Sequence, residues 1–338
     1  MGHGKLKKFA ENETFKCLLQ PSASDVLADG FFNLRDHEIK GHWNDTMFDA
    51  PRPVVLELGC GKGEYTIDLA QRNPSCNYIG VDIKGARLWK GAKYATEHHL
   101  GNVAFLRTRI EFISAYFAPG EVSEIWLTFS DPQFRSENSR LTSPLFLDRY
   151  RSFLKPGGIV HLKTDSMFLH KYSRAVADAN GLRVLGCTED LYATPREAFA
   201  LSAEEGPEGS RTSYDPSQAS LGPSLSRAEG GTSLQYPPPP SPMSLAESVG
   251  TSFVSPAPSL PSETVGALYE VQTFYEKMFL EQGYKITYLS FVIDHDGPYV
   301  HPDFDEDYWR SVEGPRLLFG HDSAETRRRK LHSSDDAL

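Results

Sequence analysis

Between Val54 and Thr188 the chain alternates short apolar runs with amphipathic stretches, and few architectures accept that order. Strands are expected over Val54–Leu58, Tyr78–Asp82, Val103–Arg107, Ile125–Phe129, Ile159–Thr164 and Leu182–Thr188. Helices are expected over Gly63–Arg72, Arg87–His98, Leu145–Phe153 and Met167–Asn180, with a helical stretch near Glu111–Tyr116. Strands separated by helices of this length form parallel βαβ units in a doubly wound α/β sheet. After a break, Thr273–Gln282 reads as a helix and Lys285–Ile293 as a last strand, which returns antiparallel.

The break is a compositional one. Residues 196–265 hold 15 Ser, 11 Pro and 6 Gly, including the run Pro237 to Pro240. Such a stretch cannot bury enough apolar surface to offset an ordering entropy of about 1–2 kcal/mol per residue. The expectation is a disordered Ser/Pro-rich insertion that interrupts the sheet domain before its final elements. The resulting division is an N-terminal extension (1–50), a main domain (51–195), the insertion (196–265), a completing helix and strand (266–293) and an acidic tail (294–338).

Net charge is −10, which by itself disfavours a polyanionic partner. Its location changes that inference. Residues 196–265 carry 3 basic and 8 acidic side chains, and residues 294–338 carry 6 and 11. These two stretches account for the whole imbalance, so a nucleic-acid-binding face on the rest is permitted. The apolar runs are far shorter than the roughly 20 residues a membrane-spanning helix needs. Met1 to Lys8 lacks the apolar centre of a secretory signal. Cys17, Cys60, Cys76 and Cys187 form no CxxC pair and have no nearby His pattern, as expected for reduced thiols of a cytoplasmic protein without a structural metal.

The segment Leu56-Glu57-Leu58-Gly59-Cys60-Gly61-Lys62-Gly63 follows a buried strand and opens a helix. Glycines there let the chain turn tightly and let a ligand approach the main chain. The GxGxG spacing differs from the dinucleotide and phosphate-loop patterns. With Glu57 ahead of it, it resembles the first motif of class I S-adenosylmethionine-dependent methyltransferases. Asp82 ends the next strand, where a carboxylate can accept hydrogen bonds from both hydroxyls of a ribose. Asp131, at the carboxyl end of the fourth strand, faces the expected cleft, and Pro132 restricts it to an extended conformation. Arg135 and Arg140 follow in a polar loop, as guanidinium forks for phosphate. Lys163-Thr164-Asp165 ends the fifth strand, where Asp165 reads equally as a rim carboxylate or as the cap of the next helix.

Together with Phe129-Ser130-Asp131-Pro132, Leu162-Lys163-Thr164-Asp165 and Thr273-Phe274-Tyr275-Glu276, these residues resemble the tRNA (guanine-N7)-methyltransferase family. The resemblance covers about 51–192 and 268–293, and reaches loosely to Tyr308–Phe319. It implies a Rossmann-like, mostly parallel sheet, S-adenosyl-L-methionine as methyl donor without a metal, and the guanine at position 46 of the tRNA variable loop as acceptor. By the same resemblance Glu57, Gly59, Gly61, Asp82, Thr108 and Asp131 would bind the donor, with Asp131 also catalytic. Arg135, Asp165, Thr273, Phe274, Tyr275 and Glu276 would contact tRNA, and the enzyme would be a monomer or homodimer.

The chain departs from the family pattern at Ser130, where a proline is usual, and at Arg135, where a lysine is usual. Thr108-Arg109 stands where the family has Asp-Ala. Two other readings stay open on these residues: a methyltransferase of another substrate, and a non-catalytic RNA-binding protein with a degenerate donor pocket.

Overall fold

The computed structural model describes residues 3–29, 33–199 and 260–313. All of them belong to one unit, built from Met1–Leu201 and Pro258–Leu338. Its elements in chain order are α1 (His3–Asn12), β1 (Leu18–Leu19), α2 (Ala23–Val26), β2 (Leu27–Asp29), β3 (Asn33–Leu34), α3 (Trp43–Thr46), β4 (Val54–Leu58), α4 (Glu64–Arg72), β5 (Asn77–Asp82), α5 (Gly85–Glu97) and β6 (Val103–Arg107). They continue with β7 (Val122–Thr128), α6 (Pro144–Arg151), β8 (Leu154–Thr164), α7 (Met167–Ala179), β9 (Val184–Thr188), α8 (Ser262–Glu270), α9 (Phe274–Glu281), β10 (Thr287–Ile293) and α10 (Glu306–Glu313).

Eight strands form one sheet in the order β1-β6-β5-β4-β7-β8-β10-β9. Pairing is parallel from β1 through β8, and β10 lies antiparallel between β8 and β9. The architecture is the Rossmann-like, doubly wound, mostly parallel one that the sequence leads one to expect. Strand order reverses at β4, so the chain leaves the carboxyl ends of β4 and β7 in opposite directions and opens a crevice there.

The strand period of two separates the faces. Val54, Leu56 and Leu58 point into a core shared with Trp43, Leu147, Tyr150 and Tyr172. Val55 points to the other face, with Tyr65, Leu69, Leu88, Phe105 and Trp126. Glu57 falls on this second face and meets α4. The ring of Phe105 lies where three glycines leave room: a Cβ would come within 2.5 Å of it at Gly63, 2.8 Å at Gly80 and 2.6 Å at Gly91. The end of the glycine loop at the start of α4, the middle of β5 and the middle of α5 are thereby seated on one side chain of β6.

Two regions differ from the sequence expectations, and a third, the tail, proves partly packed. The first fifty residues are more than an extension: β1 extends the sheet, Trp43 is fully buried with its indole N–H donating to Tyr116 O at 2.8 Å, and Asn12 Nδ2 donates to Gly85 O at 2.9 Å. The stretch 196–265 is ordered at both ends, where Phe199, Leu260 and Val265 are buried; residues 200–259 lie outside the described residues. In the acidic tail, α10 packs on α7, with Glu313 accepting from Ser166 Oγ at 2.7 Å and Phe168 N at 2.9 Å. Leu317, Leu318 and Phe319 lie outside the described residues. Among the described residues no helix is long and apolar enough to cross a membrane.

Candidate active site

A cavity of about 620 Å³ opens at the carboxyl ends of β4, β5, β6, β7 and β8. Glu57, Gly59, Gly61, Asp82, Thr108, Asp131, Asp165, Thr273 and Tyr275 all line it. Arg135, Arg140, Phe274 and Glu276, also singled out from the sequence, do not. Arg135 is exposed beyond the rim, Phe274 borders a neighbouring cavity of about 570 Å³, and Glu276 is fully buried behind the wall.

The glycine loop is built for close approach. Gly59 and Gly61 have φ of +84° and +60°, a region side chains rarely adopt. A Cβ at either would meet nothing within 4 Å, so the main chain itself faces the open cavity. Gly59 N and Cys60 N donate to Val81 O at 2.8 and 3.0 Å, which ties the loop to β5. Asp82 completes the tie: Oδ2 accepts from Gly61 N at 3.0 Å and Oδ1 from Lys84 N at 2.7 Å. A carboxylate has about four lone-pair positions, so both oxygens keep capacity toward the cavity.

Glu57 sits deeper. Oε2 accepts from Thr66 N at 2.8 Å and from the Thr66 hydroxyl, and Oε1 accepts from Thr128 Oγ1 at 2.6 Å. Burial pushes its carboxyl up to about 7, against these three hydrogen bonds and with the Asp82 charge adding to the rise. Glu57 therefore braces α4 against the end of β7 as well as lining the cavity.

Asp131 is carried on a bent loop. β7 ends one residue earlier than the sequence indicates, because Phe129 turns to φ +52°, and Gln133 lies at +48°. Positive φ in residues other than glycine is uncommon and is held here by tertiary contacts. Phe129 N donates to Lys163 O at 2.9 Å, and Asp131 Oδ1 accepts from Gln133 N at 2.9 Å. Thr108 lines the cavity, and its hydroxyl donates to Tyr116 OH at 3.4 Å.

The end of β8 resolves an ambiguity. Ser166 caps α7, its Oγ accepting from Leu169 N at 3.1 Å, which leaves Asp165 on the cavity wall. Thr273 caps α9 by accepting from Glu276 N at 3.2 Å. Arg140, read from sequence as a phosphate fork, is instead fully buried. It pairs with Glu306 at 2.8 Å and stacks on Tyr172, 4.3 Å from the ring centre, so it fastens the tail to α7.

Several cavity residues were not visible beforehand. Lys84 and Arg87 join Lys62 of the glycine motif and Arg109, already a cationic candidate at the end of β6, to bring four cations to the rim, and Ile83, 50% exposed immediately after Asp82, offers an apolar surface there. Position after a motif carboxylate was the only available signal for Ile83. Behind the wall, Lys163 is wholly buried, pairs with Glu276 Oε1 at 2.8 Å and donates to Leu268 O at 2.7 Å and Val271 O at 3.1 Å. Burial pushes its ammonium below the ordinary lysine range, and Glu276 opposes that fall.

Comparison with known proteins identifies the family. Residues 51–213 match a family model described as "Putative methyltransferase". The chain is 51% identical over 202 residues to the tRNA (guanine-N(7)-)-methyltransferase of Christiangramia forsetii, covering 58% of this chain and 88% of that protein. It is 50% identical over 192 residues to the enzyme of the same name from Bacteroides thetaiotaomicron, covering 57% and 74%. With the Streptococcus mutans protein of that name, identity is 36% over 174 residues, covering 51% and 82%. The chain belongs to the tRNA (guanine-N7)-methyltransferase family.

Proposed function

We propose that this protein transfers the methyl group of S-adenosyl-L-methionine to N7 of the guanine at position 46 in tRNA. The observation that carries the reading is that the glycine loop and the carboxylates of Glu57, Asp82, Asp131 and Asp165 border one cavity. The donor fits these residues: main chain is bare at Gly59 and Gly61, and Asp82 retains acceptor capacity for ribose hydroxyls. Ile83 supports a purine ring, and Thr108 supplies one hydrogen bond in place of the family's acid.

Bound there, the donor supplies an electrophilic methyl on a cationic sulfur. Guanine N7 carries a lone pair and no proton, so no residue has to act as a general base. The chain's task is alignment, and near-attack placement is worth roughly 7–11 kcal/mol of barrier. Asp131, with one oxygen fixed by Gln133 N–H, directs its charge at the purine, which becomes cationic as the bond forms. Asp165 faces the same space from β8. Lys62, Lys84, Arg87, Arg109 and the outlying Arg135 suit RNA phosphates. The enzyme is cytoplasmic on this reading, and monomeric or homodimeric.

The test is methylation of an unmodified tRNA transcript, with the product base mapped by chemical cleavage at N7-methylguanosine. Cleavage confined to position 46 supports the proposal. Donor binding without tRNA methylation would point to another acceptor, and absence of donor binding in calorimetry would point to a non-catalytic RNA-binding protein.

A further inference from the structure

We propose that Lys163 and Glu276 form a buried clasp that positions the tRNA-facing wall of the cavity, and that Glu276 acts without touching RNA. The inference rests on the tRNA reading above. Both side chains have no solvent exposure, and Glu276 does not border the cavity. Lys163 Nζ donates to Leu268 O and Val271 O, carbonyls at the C-terminal end of α8 that no helical N–H satisfies. Glu276 lies in the first turn of α9. A cation thus meets the negative end of one helix and an anion the positive end of the next. Tyr192 OH donates to the same Glu276 oxygen at 2.6 Å, which fixes the carboxylate.

What the clasp holds is the link from Val271 to Tyr275, and Thr273 and Tyr275 within it line the cavity. Lys163 also touches the other walls. Its carbonyl accepts the Phe129 N–H at the start of the Asp131 loop, and Asp165 follows two residues later, just past the end of β8. One residue therefore sets the spacing of the Asp131 loop, Asp165 and the α8–α9 link. The donor-side contacts, at Gly59, Gly61 and Asp82, are made elsewhere and do not involve it.

The experiment compares Lys163→Met/Glu276→Leu with wild type, measuring donor affinity, tRNA kinetics and amide hydrogen exchange of residues 262–281. Replacing both partners of a buried pair by apolar groups is often tolerated. Glu276→Gln is measured alongside, in case the double variant does not fold. Expected are a donor Kd within about 3-fold of wild type, faster exchange in 268–276, and a rise of at least roughly 10-fold in KM for tRNA, since a displacement near 1 Å is costly to alignment. Unchanged exchange, or faster exchange with wild-type tRNA kinetics, overturns the clasp. Loss of donor binding in both folded variants also overturns it, because the effect would not be confined to the RNA wall. If wild type itself methylates no tRNA, the functional reading fails, while exchange still reports whether the clasp holds the link.

Discussion

Asp82 Oδ2 accepts the Gly61 N–H at 3.0 Å, so the carboxylate that ends β5 also holds the loop that ends β4. The two features that mark the proposed donor pocket are one hydrogen-bonded unit. Asp82→Asn places an amide group where the loop or Lys84 N–H presents a donor, and charge-assisted bonds of this kind are worth roughly 1.5–3 kcal/mol. The expected result is a loss of about 10- to 100-fold in S-adenosylmethionine affinity by calorimetry. Affinity within about 3-fold of wild type would remove Asp82 from the pocket.

Asp131 stands in a different situation. It is exposed and carried on a loop, so its removal should leave the core intact and shift stability by no more than about 0.5 kcal/mol. If its charge favours the cationic purine, Asp131→Ala lowers kcat on tRNA by about 100- to 1,000-fold, the scale of losing one preorganised electrostatic partner. Near wild-type turnover with an unchanged melting temperature would dismiss it as the catalytic residue.

How much of this was legible follows from where each signal lies. β4 and β6 have the bounds their apolar runs indicate, and Gly59, Gly61 and Asp82 announce a pocket through local spacing alone. Glu276 and Arg140 were misjudged because their partners, Lys163 and Glu306, are more than a hundred residues away. A charged side chain looks solvated until its distant counter-ion is known. β1, with two residues, is too short to show a period, yet pairing with β6 makes it a sheet edge. The start of α8, Ser262 to Val265, falls inside the Ser/Pro-rich stretch because composition averages over a boundary that Leu260 and Val265 set by burial.

Arg135 lies outside the cavity, in the loop that follows Asp131. A role there is phosphate contact, which is read through salt. Arg135→Ala should weaken tRNA binding and reduce the slope of log K against log salt by about one, because one fewer counterion is released. Filter binding of tRNA across a salt series measures this, and an unchanged slope would assign Arg135 to solvent.

Gly91 offers a test of the packing under the glycine loop. In an exposed helix, glycine to alanine stabilises by up to about 1 kcal/mol. Here a Cβ would come within 2.6 Å of Phe105 Cζ and 2.9 Å of Lys62 O. Gly91→Ala should therefore destabilise by about 1–3 kcal/mol in denaturant melts, the cost of overpacking. Adding Phe105→Leu should recover part of that loss. A more stable single variant would show that the ring and the loop are not in the contact described.

Glu57 gives a pH dependence whose sign is opposite to that of most carboxylates. Burial raises its folded-state value from 4.5 to about 7, so between these two values the native protein holds a proton that the unfolded chain has released. Its contribution is fully favourable below the lower value and is lost as pH rises through the window, by up to roughly 3 kcal/mol. Glu57→Gln cannot ionise. Whatever constant offset the amide introduces at Thr66 and Thr128, the stability of the variant relative to wild type should rise between about pH 5 and about pH 8. Denaturant melts of both proteins at the two pH values isolate the difference from all other titrating groups. A relative stability that stays level, or falls, would mean Glu57 is already ionised at the lower pH and is not the desolvated brace between α4 and β7.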